Sequence, residues 1–401
     1  MVKLSVIYIT CKHRWDACMQ LCYEHLNFLI GLLVFWLIVY AVGRIFKLER
    51  YGLRIYPAYI NYQSPFFIRT LRRVSDRYQA LWKVLSNVGI PLAFGQMAYA
   101  IYFLWKNLNE FLEPEGTASP VLPLLPGLTV RLLWLPYLLI AVVTAIIVHE
   151  AAHGIIARNE NVRVKSAGAI ILLVIPGGYV EPDEDSFEKS ALLSKLRILA
   201  AGSTLNLLCG LLIFILILFL FSNSPSGVVI VNTVDGGPLQ LAGVTRWDVI
   251  YSINSTPIRG VRDLIRYLAN TTQKTIILGT NKGEIVVSFR ESPFNGTAKA
   301  LHIIGIRPPL LNYYESRFGL GPTFDVHVYL TLYWTFIIQV SVAVMNMLPI
   351  YPLDGEKFVS YLLRTLLNKN AKWIEVIING VCLSLIITNM VLSTLRSLII
   401  M

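Results

Sequence analysis

The sequence predicts a polytopic α-helical membrane protein with about six transmembrane helices, a re-entrant β-hairpin and one inserted α/β domain. Three observations predict it: a shortage of charge, long uninterrupted apolar runs, and one stretch near residue 230 where apolar and polar residues alternate. The chain has 401 residues, of which 55% are hydrophobic and only 15% charged, where a soluble domain carries about 25% charged residues. Mean hydropathy is +0.59. This balance excludes a disordered chain, and five cysteines in such a length make no disulfide scaffold. The net charge of +11 does not indicate nucleic acid. In so apolar a chain, the positive residues set membrane orientation, and no nucleic-acid partner is expected.

Six runs approach or exceed the ~20 apolar residues that cross a bilayer. They cover 26–46, 85–105, 128–156, 196–221, 328–350 and 373–399. The first is too long for a signal peptide and has no small-residue cleavage site after it. Lys and Arg are concentrated in alternate short loops. Arg44, Lys47, Arg50, Arg54, Arg69, Arg72, Arg73, Arg77 and Lys83 fill the first, and Arg158, Arg163, Lys165, Lys189 and Lys195 the third. Lys357, Arg364, Lys369 and Lys372 fill the fifth. These loops are therefore expected on the cytoplasmic side. Residues 222–327 are then expected outside, although Lys3, Lys12 and Arg14 vote the other way. The stretch 56–82 mixes aromatic and basic residues and reads as an amphipathic element lying along the inner surface.

Residues 228–234 (VVIVNTV) alternate and are followed by turn chemistry at Asp235-Gly236-Gly237-Pro238. A second turn is expected at Asn254-Ser255, and a helix from about Val261. With Ala242-Gly243-Val244 and Trp247-Asp248-Val249-Ile250, this stretch resembles a PDZ domain of the circularly permuted kind. That resemblance implies binding of an extended peptide or a protein terminus by strand addition. A generic β-domain that only blocks access is the other reading. Sequons at Asn254, Asn270 and Asn295 suit an outer face but arise often by chance.

The third span contains His149-Glu150-Ala151-Ala152-His153. Ionisable groups inside a span are costly and mark function by default. On a helix, residues i and i+4 share a face, so both imidazoles can address one metal ion. Zinc accepts neutral imidazole and keeps an open position in catalytic sites. Glu150 is placed to move protons as a general base. A third protein ligand is still required. The candidates are His13, His25, His302, His327 and Asp354. Asp354 follows Asn346-Met347-Leu348-Pro349-Ile350-Tyr351-Pro352-Leu353, whose prolines cannot sit in an unbroken helix. Unwound backbone at membrane depth is tolerated where it lines a wet cavity. Cys11, His13, Cys18, Cys22 and His25 match no common zinc spacing.

The pair HEAAH and NMLPIYPLDG, with the PDZ-like insertion between them, resembles the site-2 protease family of intramembrane zinc metalloproteases (M50-like). A third match is the run from Leu196 to Asn206 (LRILAAGSTLN), in which Ser203 stands where the family often has proline. The resemblance implies Zn2+ as cofactor, His149, His153 and Asp354 as its ligands, Glu150 as the general base, and Asn346 orienting substrate backbone or the oxyanion. It also implies transmembrane protein substrates within a lipid bilayer, cleaved in regulated proteolysis. The segment 167–185, with a turn at Pro176-Gly177-Gly178, reads as the re-entrant hairpin that would pin substrate as an added strand. The acidic run 181–185 reads as a solvated loop.

Four regions are expected: a membrane region 1–127, a catalytic core 128–222, the extracytoplasmic PDZ-like domain 223–310, and a membrane region 311–401 with the LDG motif. The compact chain favours a prokaryotic cell membrane and leaves a eukaryotic internal membrane open. Two rival readings are a non-catalytic scaffold acting through the PDZ-like domain, and a transporter with His149 and Glu150 on an ion path. A scaffold has no need of HExxH and LDG, and a transporter predicts internal repeats that the sequence lacks.

Overall fold

The computed structural model describes residues 30–113, 116–125, 127, 129–173, 175–289, 301, 303–367 and 371–400. Lys3, Lys12, Arg14, the Cys/His cluster 11–25, the start of the first expected span, Asn295 and His302 lie outside them. The helices are α1 (Ile30–Ile45), α2 (Pro65–Arg77), α3 (Gln79–Leu112), α4 (Leu135–Asn159), α5 (Glu184–Glu188), α6 (Leu192–Leu220), α7 (Pro238–Leu241), α8 (Val261–Asn270), α9 (Pro322–Met345), α10 (Asp354–Leu367) and α11 (Ala371–Ile400). Among the described residues, α3, α4, α6, α9 and α11 are long and apolar enough to cross a membrane. The first expected span, 26–46, is described only as the shorter apolar helix α1. The protein is thus a multi-pass membrane protein. The helix at the fifth expected span stops at Met345, because Pro349 and Pro352 cannot donate to a continuing ladder.

The chain divides into two compact units, and α3, α4, α6 and α11 each contribute residues to both. The first unit contains a four-stranded antiparallel sheet in the order β1 (Leu53–Tyr56), β2 (Tyr59–Gln63), β3 (Val164–Leu172), β4 (Ile175–Pro182). β3 and β4 form the expected hairpin, but its turn falls at Leu173 (φ 56°) rather than at Pro176-Gly177-Gly178. Those three residues lie within β4, opposite Ile171, Ile170 and Ala169. The apolar run of β3 pairs continuously on both sides, so the chain reverses only where that run ends. The acidic run is also more ordered than a solvated loop. Asp183 caps α5 by accepting the Ser186 amide at 3.1 Å, and this holds its carboxyl below the usual range. Glu181 accepts the Ser166 hydroxyl at 2.5 Å.

Of the stretch 56–82, expected as one amphipathic element, Tyr59–Gln63 form β2, α3 begins at Gln79, and Pro65–Arg77 form α2. Ser64 accepts the Phe67 amide at 3.2 Å and Pro65 opens the helix, which is favourable start chemistry. Its apolar face joins a core with Ala152, Ile155, Ile156, Ile198 and Ala201. A second core joins Ala93 and Met97 of α3 to Leu196, Leu199 and Ala200 of α6, with Met347 and Phe358.

The second unit holds the inserted α/β domain. Its sheet runs β10 (Ile306–Tyr313), β5 (Gly227–Thr233), β6 (Val249–Ile253), β8 (Thr275–Thr280), β9 (Gly283–Ser288), with β7 (Thr256–Pro257) paired to β6. Ile230, Leu239, Ile253, Leu264, Leu268 and Ile276 are fully or almost fully buried in its core. Asn254 (φ 48°) and Ser255 (φ 63°) form the expected turn, with both residues at positive φ as a two-residue hairpin turn requires. The Asn254 side chain is not free on the surface. It donates to Tyr267 at 3.1 Å and accepts the Ile277 amide at 2.7 Å.

Candidate metal centre

α4 supplies His149, Glu150 and His153 on adjoining turns of one helix. The two imidazoles meet edge to face, with centroids 4.7 Å apart. Their Nε2 atoms are 3.1 Å apart, and Asp354 Oδ2 lies 3.2 Å from the first and 3.1 Å from the second. Asp354 is the first residue of α10 and reaches this point through the proline-interrupted turn after α9. That turn is closed by hydrogen bonds from Gly355 to Asn346 at 3.0 Å and from Leu353 to Ile350 at 2.8 Å. Asn346 is brought to the same place. Its Nδ2 donates to Asp354 Oδ2 at 2.6 Å and lies 3.3 Å from His149 Nε2.

The donor set suits a small cation. His153 Nδ1 donates to the Ile198 carbonyl at 2.7 Å, which leaves Nε2 with its lone pair. Two such nitrogens and a carboxylate oxygen at 3.1–3.2 Å repel one another unless positive charge sits among them. Tetrahedral zinc, with bonds of about 2.0–2.2 Å, holds neighbouring ligand atoms roughly 3.3–3.5 Å apart, close to the spacing seen. His149, His153 and Asp354 form a group able to hold a metal among the described residues. His327, another candidate, instead lies 2.5 Å from the Tyr137 hydroxyl and packs on Trp247.

Close approach of α6 completes the centre. A Cβ on Gly202 would stand 2.4 Å from His149 Cε1 and 2.5 Å from His153 Nε2. Only glycine lets α6 lie directly against both rings while presenting the Ile198 carbonyl to His153. In the sequence this residue registered only through resemblance; its physical reason is contact with the imidazoles.

Glu150 turns toward the hairpin and accepts the backbone N–H of Val180 through Oε2 at 2.8 Å. β4 is an outer strand of its sheet, and this N–H points away from β3. A cavity of about 640 Å³ is lined by His149, Glu150, His153, Tyr179, Val180, Glu181, Glu188, Asp354 and Tyr361, among others. Sequence reasoning missed the cation that pairs with two residues of this wall, Glu188 and Tyr361. Lys195 is buried beside Glu188 (2.9 Å) with its ammonium 4.5 Å from the Tyr361 ring centre. Tyr361 also donates its hydroxyl to Glu188. The Tyr361 hydroxyl, aided by Lys195, holds the Glu188 carboxyl below its usual range. Lys195 had signalled only membrane orientation in the sequence; a lysine so close to an apolar run was the available clue.

The family model for peptidase family M50 matches residues 137–388. An uncharacterised protein of Methanocaldococcus jannaschii is 26% identical over 339 residues, covering 82% of each chain. A membrane-bound transcription factor site-2 protease homologue of Arabidopsis thaliana is 25% identical over 205 residues. That match covers 49% of this chain and 39% of the plant protein.

Substituting Gly202→Val is expected to lower metal affinity at least tenfold, the scale on which outer contacts of metal-bound histidines act. Metal content of the purified protein, titrated against a chelator, measures it; wild-type retention would show that the Gly202 contact does not matter.

Proposed function

The chain belongs to peptidase family M50, the site-2 protease family, and we propose that it is an intramembrane zinc metalloendopeptidase. Its substrates would be transmembrane segments of membrane-tethered proteins, cut in regulated proteolysis. The observation that carries this reading is the convergence of His149 and His153 of α4 with Asp354 of α10, with Glu150 next to His149 on α4. His149, His153 and Asp354 would hold Zn2+. Bound zinc supplies a Lewis acid that polarises a carbonyl and makes water a nucleophile at neutral pH.

The protein's own groups carry the remaining steps. Glu150 takes a proton from the attacking water and delivers it to the leaving amine. Val180 N–H fixes the direction of that carboxylate. Asn346 holds Asp354 Oδ2 in place and lies close enough to the donor set to orient a substrate carbonyl. A transmembrane helix hides its amides, so the substrate must unwind before attack. The outer edge of β4 offers backbone partners to an extended segment, and the hairpin is proposed to be re-entrant and to receive substrate there.

We assign residues 223–310 to a PDZ-like extracytoplasmic domain that binds an extended peptide or a chain terminus. The outer strand β10 and the start of α8 border a cavity of about 830 Å³ lined by Arg259, Gly260, Leu310, Asn312 and Tyr329, among others. This supports strand addition at β10. A library of free C-terminal peptides screened on the full chain is expected to yield binders that Arg259→Glu weakens about tenfold. A library yielding none would remove this role.

Glu150→Gln is expected to lower cleavage of a tethered substrate by about 10²–10⁴-fold with zinc retained, and Asp354→Ala to lose zinc itself. Normal cleavage by the Gln variant would exclude Glu150 as base. Zinc-free wild-type protein would favour a scaffold acting through the inserted domain.

Val180→Pro removes one N–H that takes no part in the β3–β4 ladder, a substitution that an outer strand tolerates. It is expected to lower kcat about tenfold, the scale of one lost hydrogen bond to a charged group, with zinc content unchanged. Unchanged kcat would show that Glu150 needs no such support.

A further inference from the structure

α2 separates two surfaces. Its inward face is keyed to the turn of α4 that follows His153. Leu71 Cδ1 stands 2.6 Å from where a Cβ on Gly154 would be, so glycine there is what lets the two helices touch. Ser75, itself buried, donates its hydroxyl to the Ile155 carbonyl at 3.1 Å. Arg158 donates to Asp76 at 3.3 Å.

The other flank of α2 carries Phe66, Arg69, Arg73 and Arg77, spaced three, four and four residues apart. On a helix that spacing makes one continuous stripe. All four side chains are exposed, Phe66 to 72%. Asp76, the acid on this helix, is engaged by Arg72 at 3.7 Å and by Arg158. Among the described residues, no carboxylate forms an ion pair with Arg69, Arg73 or Arg77. The Arg77 guanidinium lies 5.5 Å from the Tyr78 ring centre, and Tyr78 and Leu81 are exposed large apolar residues immediately beyond.

We propose that this stripe binds the headgroup phosphates of anionic phospholipids, with Phe66 in the acyl boundary. Through the seat of α2 on Gly154 and Ile155, it would tie leaflet charge to the turn of α4 that bears His153. Arg69 Nε donates to the Pro65 carbonyl at 3.3 Å, and a row of guanidinium groups with no carboxylate partner among the described residues, bounded by exposed aromatic and aliphatic side chains, matches the phosphate and acyl layers of one leaflet. An acidic soluble partner would satisfy the arginines and leave the apolar margin uncovered. Three arginines at a negative leaflet multiply attraction by roughly a hundredfold. The inference does not rest on the peptidase reading.

The test uses the full chain in neutral detergent with equimolar phosphatidylglycerol and phosphatidylcholine, and bound lipid is counted by native mass spectrometry. Wild type is expected to retain phosphatidylglycerol selectively. The combined variant Arg69→Gln, Arg73→Gln, Arg77→Gln should retain at least tenfold less, while the corresponding lysine variant keeps most of it. The combined variant Arg44→Gln, Arg50→Gln, Arg54→Gln should behave as wild type, which separates the stripe from general loop charge. A photoactivatable phosphatidylglycerol should crosslink wild type within residues 66–81, and this decides the matter if the glutamine variant misfolds. Hydrogen exchange over 150–158 should slow with phosphatidylglycerol in wild type alone. Full lipid retention by the glutamine variant, or crosslinks confined elsewhere, would overturn the site. Unchanged exchange would overturn its link to α4.

Discussion

The hydrogen bond from His153 Nδ1 to the Ile198 carbonyl is the constraint on which the centre depends. Polar groups in an apolar helix are costly unless each finds a partner. This bond satisfies one ring nitrogen, fixes the tautomer and aims the other nitrogen at His149 and Asp354. It requires α6 to lie against α4 at ring distance, and Gly202 provides that approach. The carboxylate must then arrive from elsewhere in the chain, because the one acid of α4, Glu150, is turned to Val180 and α6 carries none. A helix that ran straight through residues 346–353 could not deliver it. The prolines that break the helix also bring Asn346 and Asp354 side by side.

The legibility of these parts in the sequence differed for physical reasons. Membrane spans are local and compositional, so five of the expected runs reappear as long apolar helices. HEAAH is local too, since its geometry needs only one helix. The pairing of Asp354 with two histidines some two hundred residues earlier could be proposed because the acid stands at a proline-interrupted helix end and the two motifs together resemble the site-2 protease family. The hairpin turn was misplaced because Pro-Gly-Gly is strong turn chemistry, whereas the register of β4 is set by its pairing with β3. β1 and β2 were not legible at all. Their short alternating runs gain meaning only through β3, more than a hundred residues away. The Val180 N–H had no signature of any kind, since a backbone donor is the same at every residue.

The four-stranded sheet joins these distant parts. β2 leads directly into α2, which packs on α4, while β4 reaches Glu150 on the same helix. The HEAAH helix is therefore braced by one sheet and its continuation, which meet it together at Gly154. An outer strand with free backbone groups is a hazard in water. Here one such group is occupied by the carboxylate proposed as the base, and the neighbouring groups line a cavity.

That cavity bears on a tension in the proposed hydrolysis at membrane depth, which would need water and charge inside an apolar bundle. The wall is polar where it meets the donor set, and its charges are matched locally. Glu188 on this wall is paired with the buried Lys195, whose ammonium lies 4.5 Å from the Tyr361 ring centre. Glu181 is held by Ser166 and lies 3.6 Å from Lys165. Removing Glu188 would strand the buried Lys195 ammonium, which costs more than the pair contributes, whereas the exposed Lys165–Glu181 pair contributes little. The charges of Glu188, Glu181 and Lys165 line the cavity and do not hold the helices together. Packing does the latter: α3, α6 and α10 meet through Ala93, Ala200 and Phe358, all fully buried.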